Sequence, residues 1–198
     1  MRIKICGITN PEDARLAVEA GADALGFIRV ESSPRYIPEA DAHEIYREAG
    51  PFVTVVAVVR RVEEVGSAEC DAIQFYEGPA PTSGKGIRVF RIKDALSLPA
   101  LAEYREPNTA ILLDTYHEQA LGGVGATFDW SLAVAAKGLQ PHRRLILAGG
   151  LTPDNVAEAV RRVRPYALDV SSGVEASPGK KDPHKLRDFI AAARQAAE

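Results

Sequence analysis

Two cysteines in 198 residues are too few for a disulfide framework. No apolar stretch approaches the ~20 residues that span a bilayer, and the N-terminus opens directly on the strand-like Met1-Arg2-Ile3-Lys4-Ile5 without a signal-peptide pattern. The expected location is therefore cytoplasmic, with no membrane partner. A basic excess is also missing, since the formal charge is −3, and no nucleic-acid partner is expected. The four histidines, His43, His117, His142 and His184, lack H-E-x-x-H spacing and the cysteines lack C-x-x-C spacing, so no metal site is expected. Low-complexity linkers and internal repeats are absent too, and the expectation is one domain over residues 1–198.

What is present is an alternation. Short apolar runs occupy residues 3–6, 24–27, 52–59, 72–75, 87–90, 110–113, 145–147 and 167–170. Helical spacing appears at 11–20, 38–49, 95–104, 155–163 and 185–193. Eight such units predict an α/β fold, a single (β/α)8 TIM barrel, and 198 residues sit near its lower limit, which requires short loops. Thr9-Asn10-Pro11-Glu12 carries helix-start punctuation, and Thr152-Pro153-Asp154 repeats it. Residues 62–68 allow about two helical turns. After the fourth strand, Gly78-Pro79-Ala80-Pro81-Thr82-Ser83-Gly84 predicts a reduced or missing helix.

Barrel geometry assigns positions. Cys6 ends the first strand at the catalytic end, whereas Cys70 precedes the fourth strand at the other; a strand of ~5 residues is ~17 Å long and disulfide Cα atoms lie within ~7 Å, so both are expected to be free thiols. The strand ends read Cys6, residues 27–35, Arg60, Tyr76, Arg91, Asp114, Gly149-Gly150 and Asp169. Two neighbouring loops, Ala148-Gly149-Gly150-Leu151-Thr152 and Asp169-Val170-Ser171-Ser172-Gly173, offer small residues and backbone N–H groups, the makings of a phosphate cup. Between them and the sixth strand, Gly122-Gly123-Val124-Gly125 leads to Thr127-Phe128-Asp129-Trp130, a segment expected to fold over the mouth and bring Asp129 opposite Cys6. A phosphate cup with two proton-transfer groups suggests isomerisation of a phosphorylated, sugar-like substrate.

The strings Lys4-Ile5-Cys6-Gly7-Ile8-Thr9, Gly21-Ala22-Asp23-Ala24-Leu25-Gly26-Phe27, Ser33-Pro34-Arg35-Tyr36, Thr127-Phe128-Asp129-Trp130, Leu147-Ala148-Gly149-Gly150-Leu151 and Asp169-Val170-Ser171-Ser172-Gly173-Val174-Glu175 together resemble the phosphoribosylanthranilate isomerases of tryptophan biosynthesis. The likeness runs in unbroken order to Pro178-Gly179-Lys180-Lys181-Asp182. It implies a cofactor-free barrel enzyme performing an Amadori rearrangement. It makes Cys6 of K-x-C-G-x-T the general base and Asp129 of T-F-D-W the general acid. By itself Asp129 also suits the N-cap of a helix beginning at Trp130. Within S-P-R-Y, Arg35 becomes the group that holds the anthranilate carboxylate, a task suited to its planar fork. Gly149, Gly150, Ser171, Ser172 and Gly173 become the phosphate contacts, and Asp169 a substrate-binding residue that orients loop backbone or assists the acid-base step. Gly7 and Gly26 are expected to give clearance at the mouth, and Trp130 to be core.

Two departures stand out. Tyr76 occupies the position of a histidine that commonly follows the fourth strand in the family, and Val124 replaces a hydroxyl residue of the glycine loop. Three other readings compete. A histidine-pathway isomerase would use two aspartates, which Cys6 argues against. Indole-glycerol-phosphate synthase would need an inward lysine with a glutamate partner, and the strand ends show no such pair. A non-enzymatic binder of phosphorylated ligands is the third. The sequence leaves the oligomeric state open, a homodimer included.

Overall fold

The computed structural model describes residues 1–66, 69–116 and 127–198. Eight parallel strands close into a barrel in chain order: β1 Arg2–Cys6, β2 Ala24–Ile28, β3 Thr54–Arg61, β4 Ala72–Glu77, β5 Lys85–Ile92, β6 Thr109–Thr115, β7 Leu145–Leu147 and β8 Ala167–Val170. The barrel shuts where β8 meets β1, with Arg2, Ile3, Lys4 and Ile5 opposite Ala167, Leu168, Asp169 and Val170. Helices α1 Pro11–Ala20, α2 Glu39–Ala49, α3 Leu98–Ala102, α4 Trp130–Leu139, α5 Val156–Val163 and α6 Pro183–Ala196 surround it. Beyond β8 a small antiparallel hairpin, β9 Glu175–Ser177 with β10 Lys180–Lys181, precedes α6.

The period-two alternation of each strand separates two cores. Val56 and Val58 of β3, Val89 of β5 and Leu112 of β6 fill the barrel interior, while the intervening Ala57 and Val59 pack outward with Phe75. On β1 the outward residues Ile3 and Ile5 join the sheet-to-helix layer, which leaves Lys4 and Cys6 directed inward. Two polar-capable side chains thus enter the barrel because of register alone.

Helix starts follow their caps. Asn10 accepts from the Asp13 N–H at 2.8 Å with Pro11 at the first helical position, and Asp182 accepts from the N–H groups of His184 and Lys185 at the head of α6. Trp130 is buried, as expected of a core residue. The expected cap at Thr152 is not made. Helix α5 begins only at Val156, because Asn155 turns back to accept from the Thr152 N–H at 2.8 Å and donates to the Gly150 carbonyl at 2.9 Å. Residues 95–104 form a 3-10 turn at Ala95–Ser97 and then the short α3, since Pro99 restricts the residue before it and lacks an N–H. After β3 there is a 3-10 turn at Val62–Val65 instead of two α-turns, with residues 67 and 68 outside the described residues. No helix separates β4 from β5. There the Arg88 guanidinium lies over the Phe75 and Phe90 rings and donates to the Gly78 carbonyl at 3.0 Å. Cys6 and Cys70 are both free thiols. Among the described residues no helix is long and apolar enough to cross a membrane.

Candidate active site

At the C-terminal ends of the strands opens a cavity of about 540 Å³ whose walls include Cys6, Arg35, Tyr76, Asp114, Asp169 and the two glycine-containing loops. This is the end at which barrel side chains converge on a ligand.

Its floor is a buried set of ionisable groups. Lys4 Nζ donates to Asp169 Oδ1 at 2.8 Å, with both side chains under a tenth exposed. Burial opposes the Lys4 charge, but Asp169 and Cys6 outweigh it and hold the ammonium above its ordinary range. Burial pushes the Cys6 thiol up, and the Lys4 ammonium is the largest influence pulling it down. Across the floor, burial and the nearby Asp169 raise the Asp114 carboxyl to about 7, against the N–H of Thr115, which donates to Asp114 Oδ1 at 2.9 Å. Burial likewise lifts the Tyr76 hydroxyl well above its ordinary range, with Asp114 adding to the effect.

Part of the rim is an ion-pair network. Arg35 Nε and Nη2 donate to the two Glu175 carboxylate oxygens at 2.8 and 2.7 Å. Lys181 Nζ donates to Glu175 Oε1 at 2.9 Å and to the Cys6 carbonyl at 2.7 Å, while the Lys181 N–H donates to Asp13 at 2.8 Å. Burial lowers the Lys181 ammonium; Glu175 stays below its ordinary range because the Arg35 and Lys181 bonds outweigh its own burial. Arg35 is consequently a fixed, buried fork and not a solvated loop charge.

Beside it lie the paired loops after β7 and β8, where Lys181 Nζ reaches the Ser171 carbonyl at 3.4 Å. Gly149 and Gly150 both take positive φ, +84° and +63°, where L side chains are strained. A Cβ on Gly173 would fall on the Leu151 carbonyl, so the two loops touch backbone to backbone only because that side chain is absent. Among the described residues no acceptor partners the N–H groups of Gly150, Ser172 or Gly173. Ser171 Oγ is buried on the cavity wall without a partner among the described residues, as is Gln74 Oε1. Buried polar atoms of this kind call for a hydrogen-bonding ligand. Among the described residues no group of three or more His, Cys, Asp or Glu side chains is placed to hold a metal ion.

The structure thus gathers Cys6, Arg35, Asp169, Gly149, Gly150, Ser171, Ser172 and Gly173 around one cavity. It does not bring Asp129 to Cys6. Asp129 caps α4, accepting from Ser131 N–H at 2.9 Å and Ser131 Oγ at 2.7 Å, with its side chain 63% exposed and 3.5 Å from Arg162. Those Ser131 bonds hold its carboxyl below the ordinary range. The glycine loop with Val124 lies outside the described residues. Sequence reading finds no lysine paired with a glutamate at the strand ends, and it names neither of two buried lysine–carboxylate pairs. Lys181 is buried against Glu175, and Lys4 against Asp169. Lys4 is not the last residue of its strand, although its spacing of two from Cys6 points it inward; Lys181 lies beyond the last barrel strand.

Residues 3–192 match the family described as N-(5'phosphoribosyl)anthranilate (PRA) isomerase. The N-(5'-phosphoribosyl)anthranilate isomerase of Citrifermentans bemidjiense is 49% identical over 207 residues, which cover 99% of this chain and 98% of that protein. The crystal structure of phosphoribosyl anthranilate isomerase from Thermotoga maritima superposes with a TM-score of 0.87 at 40% identity, covering 98% of this chain and 99% of the other. A further Thermotoga maritima structure, of monomers generated from the dimeric enzyme, gives 0.83 at 36% identity with the same coverage.

Two measurements check the site. Gly173→Ala forces the loops after β7 and β8 apart; unfolding stability is expected to fall by about 1–3 kcal/mol, and the affinity for inorganic phosphate at least about tenfold. An alanine variant that binds phosphate like the parent would remove the cup from the site. Asp114→Asn tests the neutral carboxyl. A carboxyl raised from 3.8 to about 7 contributes stability that is fully present below the lower value and is lost as pH rises through the upper one. Urea unfolding of parent and variant should therefore show the parent losing stability relative to Asp114→Asn between about pH 4 and 7 and running parallel above. Parallel curves throughout would mean an ordinary carboxyl.

Proposed function

Because this chain belongs to the N-(5'-phosphoribosyl)anthranilate isomerase family, we propose that it converts N-(5-phosphoribosyl)anthranilate to 1-(2-carboxyphenylamino)-1-deoxyribulose 5-phosphate in tryptophan biosynthesis. The observation that carries the reading is the single cavity that joins a buried thiol, a fixed arginine fork and two backbone-lined loops. The rearrangement shifts two hydrogens within one molecule and leaves the overall oxidation level unchanged, so it asks only for proton transfers. An acid protonates the ring oxygen while the anilinic nitrogen supplies electrons, giving the open-chain Schiff base. A base then removes the C2′ proton, and the enolamine tautomerises to the ketone.

Cys6 is the base. The loops bearing Gly149, Gly150, Ser171, Ser172 and Gly173 hold the phosphate through backbone N–H groups, with Ser171 Oγ supplying a hydroxyl that has no partner among the described residues. Arg35 takes the anthranilate carboxylate on the guanidinium edge that Glu175 leaves open. Asp169 borders the reacting carbons from the floor. Asp129 is the acid carried over with T-F-D-W; to act it must leave the α4 cap. One observation favours a second donor, Asp114, whose carboxyl already lies in the cavity and is raised to about 7. The protein works in the cytoplasm as a homodimer, a reading supported by the dimeric relative and by the 97% exposed Phe52, an apolar ring that a partner would cover.

Incubation with freshly generated substrate should abolish its anthranilate-type fluorescence. Cys6→Ser should lower turnover by about 10²–10⁴-fold with affinity for a reduced product analogue preserved; near-normal turnover would make the thiol structural. Asp129→Asn and Asp114→Asn, assayed together, assign the acid: the donor's variant loses turnover by the same order and sheds the alkaline limb of the rate profile, and the other keeps both. Sedimentation equilibrium should return twice the 21.3 kDa chain mass, and a monomer at every concentration would refute the dimer.

A further inference from the structure

Lys4 has no part in the chemistry assigned above, yet it is the cation most intimately placed on the thiol. Both side chains leave the same strand two residues apart and enter the barrel on the same side. Gly26, opposite Cys6 on β2, marks where they meet: a Cβ there would lie 2.7 Å from Lys4 Nζ and 2.9 Å from Cys6 Sγ. Any larger residue at 26 would drive the ammonium and the sulfur apart. On its far side the ammonium is tethered by Asp169 Oδ1 at 2.8 Å, and Asp169 is the register partner of Lys4 across the β1–β8 seam. A lysine stem that would otherwise sample many rotamers is thereby fixed with its charge beside the sulfur.

We infer that Lys4 is a positioning residue: clamped by Asp169, it keeps an ammonium against Cys6 and so stabilises the thiolate that takes the C2′ proton. The inference rests on the proposed role of Cys6 as base. A buried thiolate without a counter-charge is disfavoured, and a lysine serves because its compact charge fits where Gly26 leaves room. Asp169 has two opposed effects. It holds the ammonium in place, and its own negative charge competes with the thiolate for that ammonium. The other charged or titratable groups around the sulfur are Arg35 and Lys181 on the rim and Tyr76, Arg91 and Asp114 across the mouth. They are common to all the variants below, so differences between variants report on the clamp.

The test reads the sulfur directly. In a Cys70→Ser background, where Cys6 is the sole thiol, the rate of alkylation by iodoacetamide is followed by mass spectrometry between about pH 5 and 10. Lys4→Met is expected to move the midpoint upward by about one pH unit or more, and so to slow labelling at neutral pH about tenfold. Lys4→Arg, which keeps the charge, should label within about threefold of the parent. Asp169→Asn removes the tether and a competing charge together, so the clamp is read as a cycle: Lys4→Met should move the midpoint less in the Asp169→Asn background than in the parent, because an unclamped ammonium spends less time against the sulfur. A purely structural Lys4 would leave the midpoint where it is in Lys4→Met. A Lys4→Met profile that overlies the parent, or a Lys4→Met shift as large in the Asp169→Asn background as in the parent, overturns the inference. Should Lys4→Met fail to fold, Lys4→Gln, which drops the charge but can still donate to Asp169, takes its place in both backgrounds. Turnover measured in parallel separates the two readings: a parent without isomerase activity sinks the function while the labelling profiles still stand, and lost turnover in Lys4→Met with an unmoved profile sinks the clamp while the function stands.

Discussion

The ion pair between Lys4 and Asp169 joins the first strand of the barrel to the last. Its partners sit opposite each other in register and 165 residues apart in sequence, both buried. Taking two charges out of water is costly, and the close contact repays that cost only while both partners remain; stripping one from such a pair typically costs about 3–5 kcal/mol. The pair is therefore weak as a source of net stability and strong as a constraint. Once it is made, Cys6 two residues along β1 and Ser171 two residues beyond Asp169 are brought to the same mouth. Closure of the sheet and assembly of the floor of the cavity are one event.

Much of this was legible in the chain. Parallel strands buried on both faces read as continuous apolar runs, and Leu145–Leu147 and Ala167–Val170 are delimited as the sequence suggests. Helix α1 is bounded by its own cap and by Gly21, so local chemistry suffices for it. The missing helix after β4 could be read from its prolines and glycines. What depends on long-range neighbours was not legible. Lys4 looks like a polar surface position until strand parity and the arrival of Asp169 show it facing inward. Asp114 can be placed at a strand end by counting, but the rise of its carboxyl to about 7 is a product of burial and of Asp169, neither of which has a local signature. Asp129 satisfies two sequence readings at once, an N-cap and an acid, and the coordinates display the first.

Two neighbouring parts of the mouth deal with negative charge by different means. The loops after β7 and β8 present neutral backbone donors in a shape that Gly173 permits, a surface suited to a compact, symmetric anion. The adjoining rim presents a guanidinium whose plane is already fixed by Glu175, which is itself fixed by Lys181. Such a fork favours a planar anion in one orientation. A ligand with a phosphate at one end and a carboxylate at the other would be held at both ends before any proton moves. Pre-orientation of that kind accounts for a large share of the rate advantage of enclosed sites.

The hairpin after β8 donates to the Cys6 carbonyl through Lys181, a contact spanning 175 residues, and its Glu175 reaches Arg35 across 140. Contacts of such separation are formed late, because the entropy of closing so large a loop must be overcome before any of them is rewarded. On a chain emerging N-terminus first, the thiol and the arginine are made early and then wait, unoriented, until nearly the whole polypeptide has appeared. Competence for chemistry is thus withheld from partial chains. A fragment ending short of the hairpin can form most of the staves and still present neither the held fork nor the anchored end of β1, so folding to completion and acquiring a working site coincide in time.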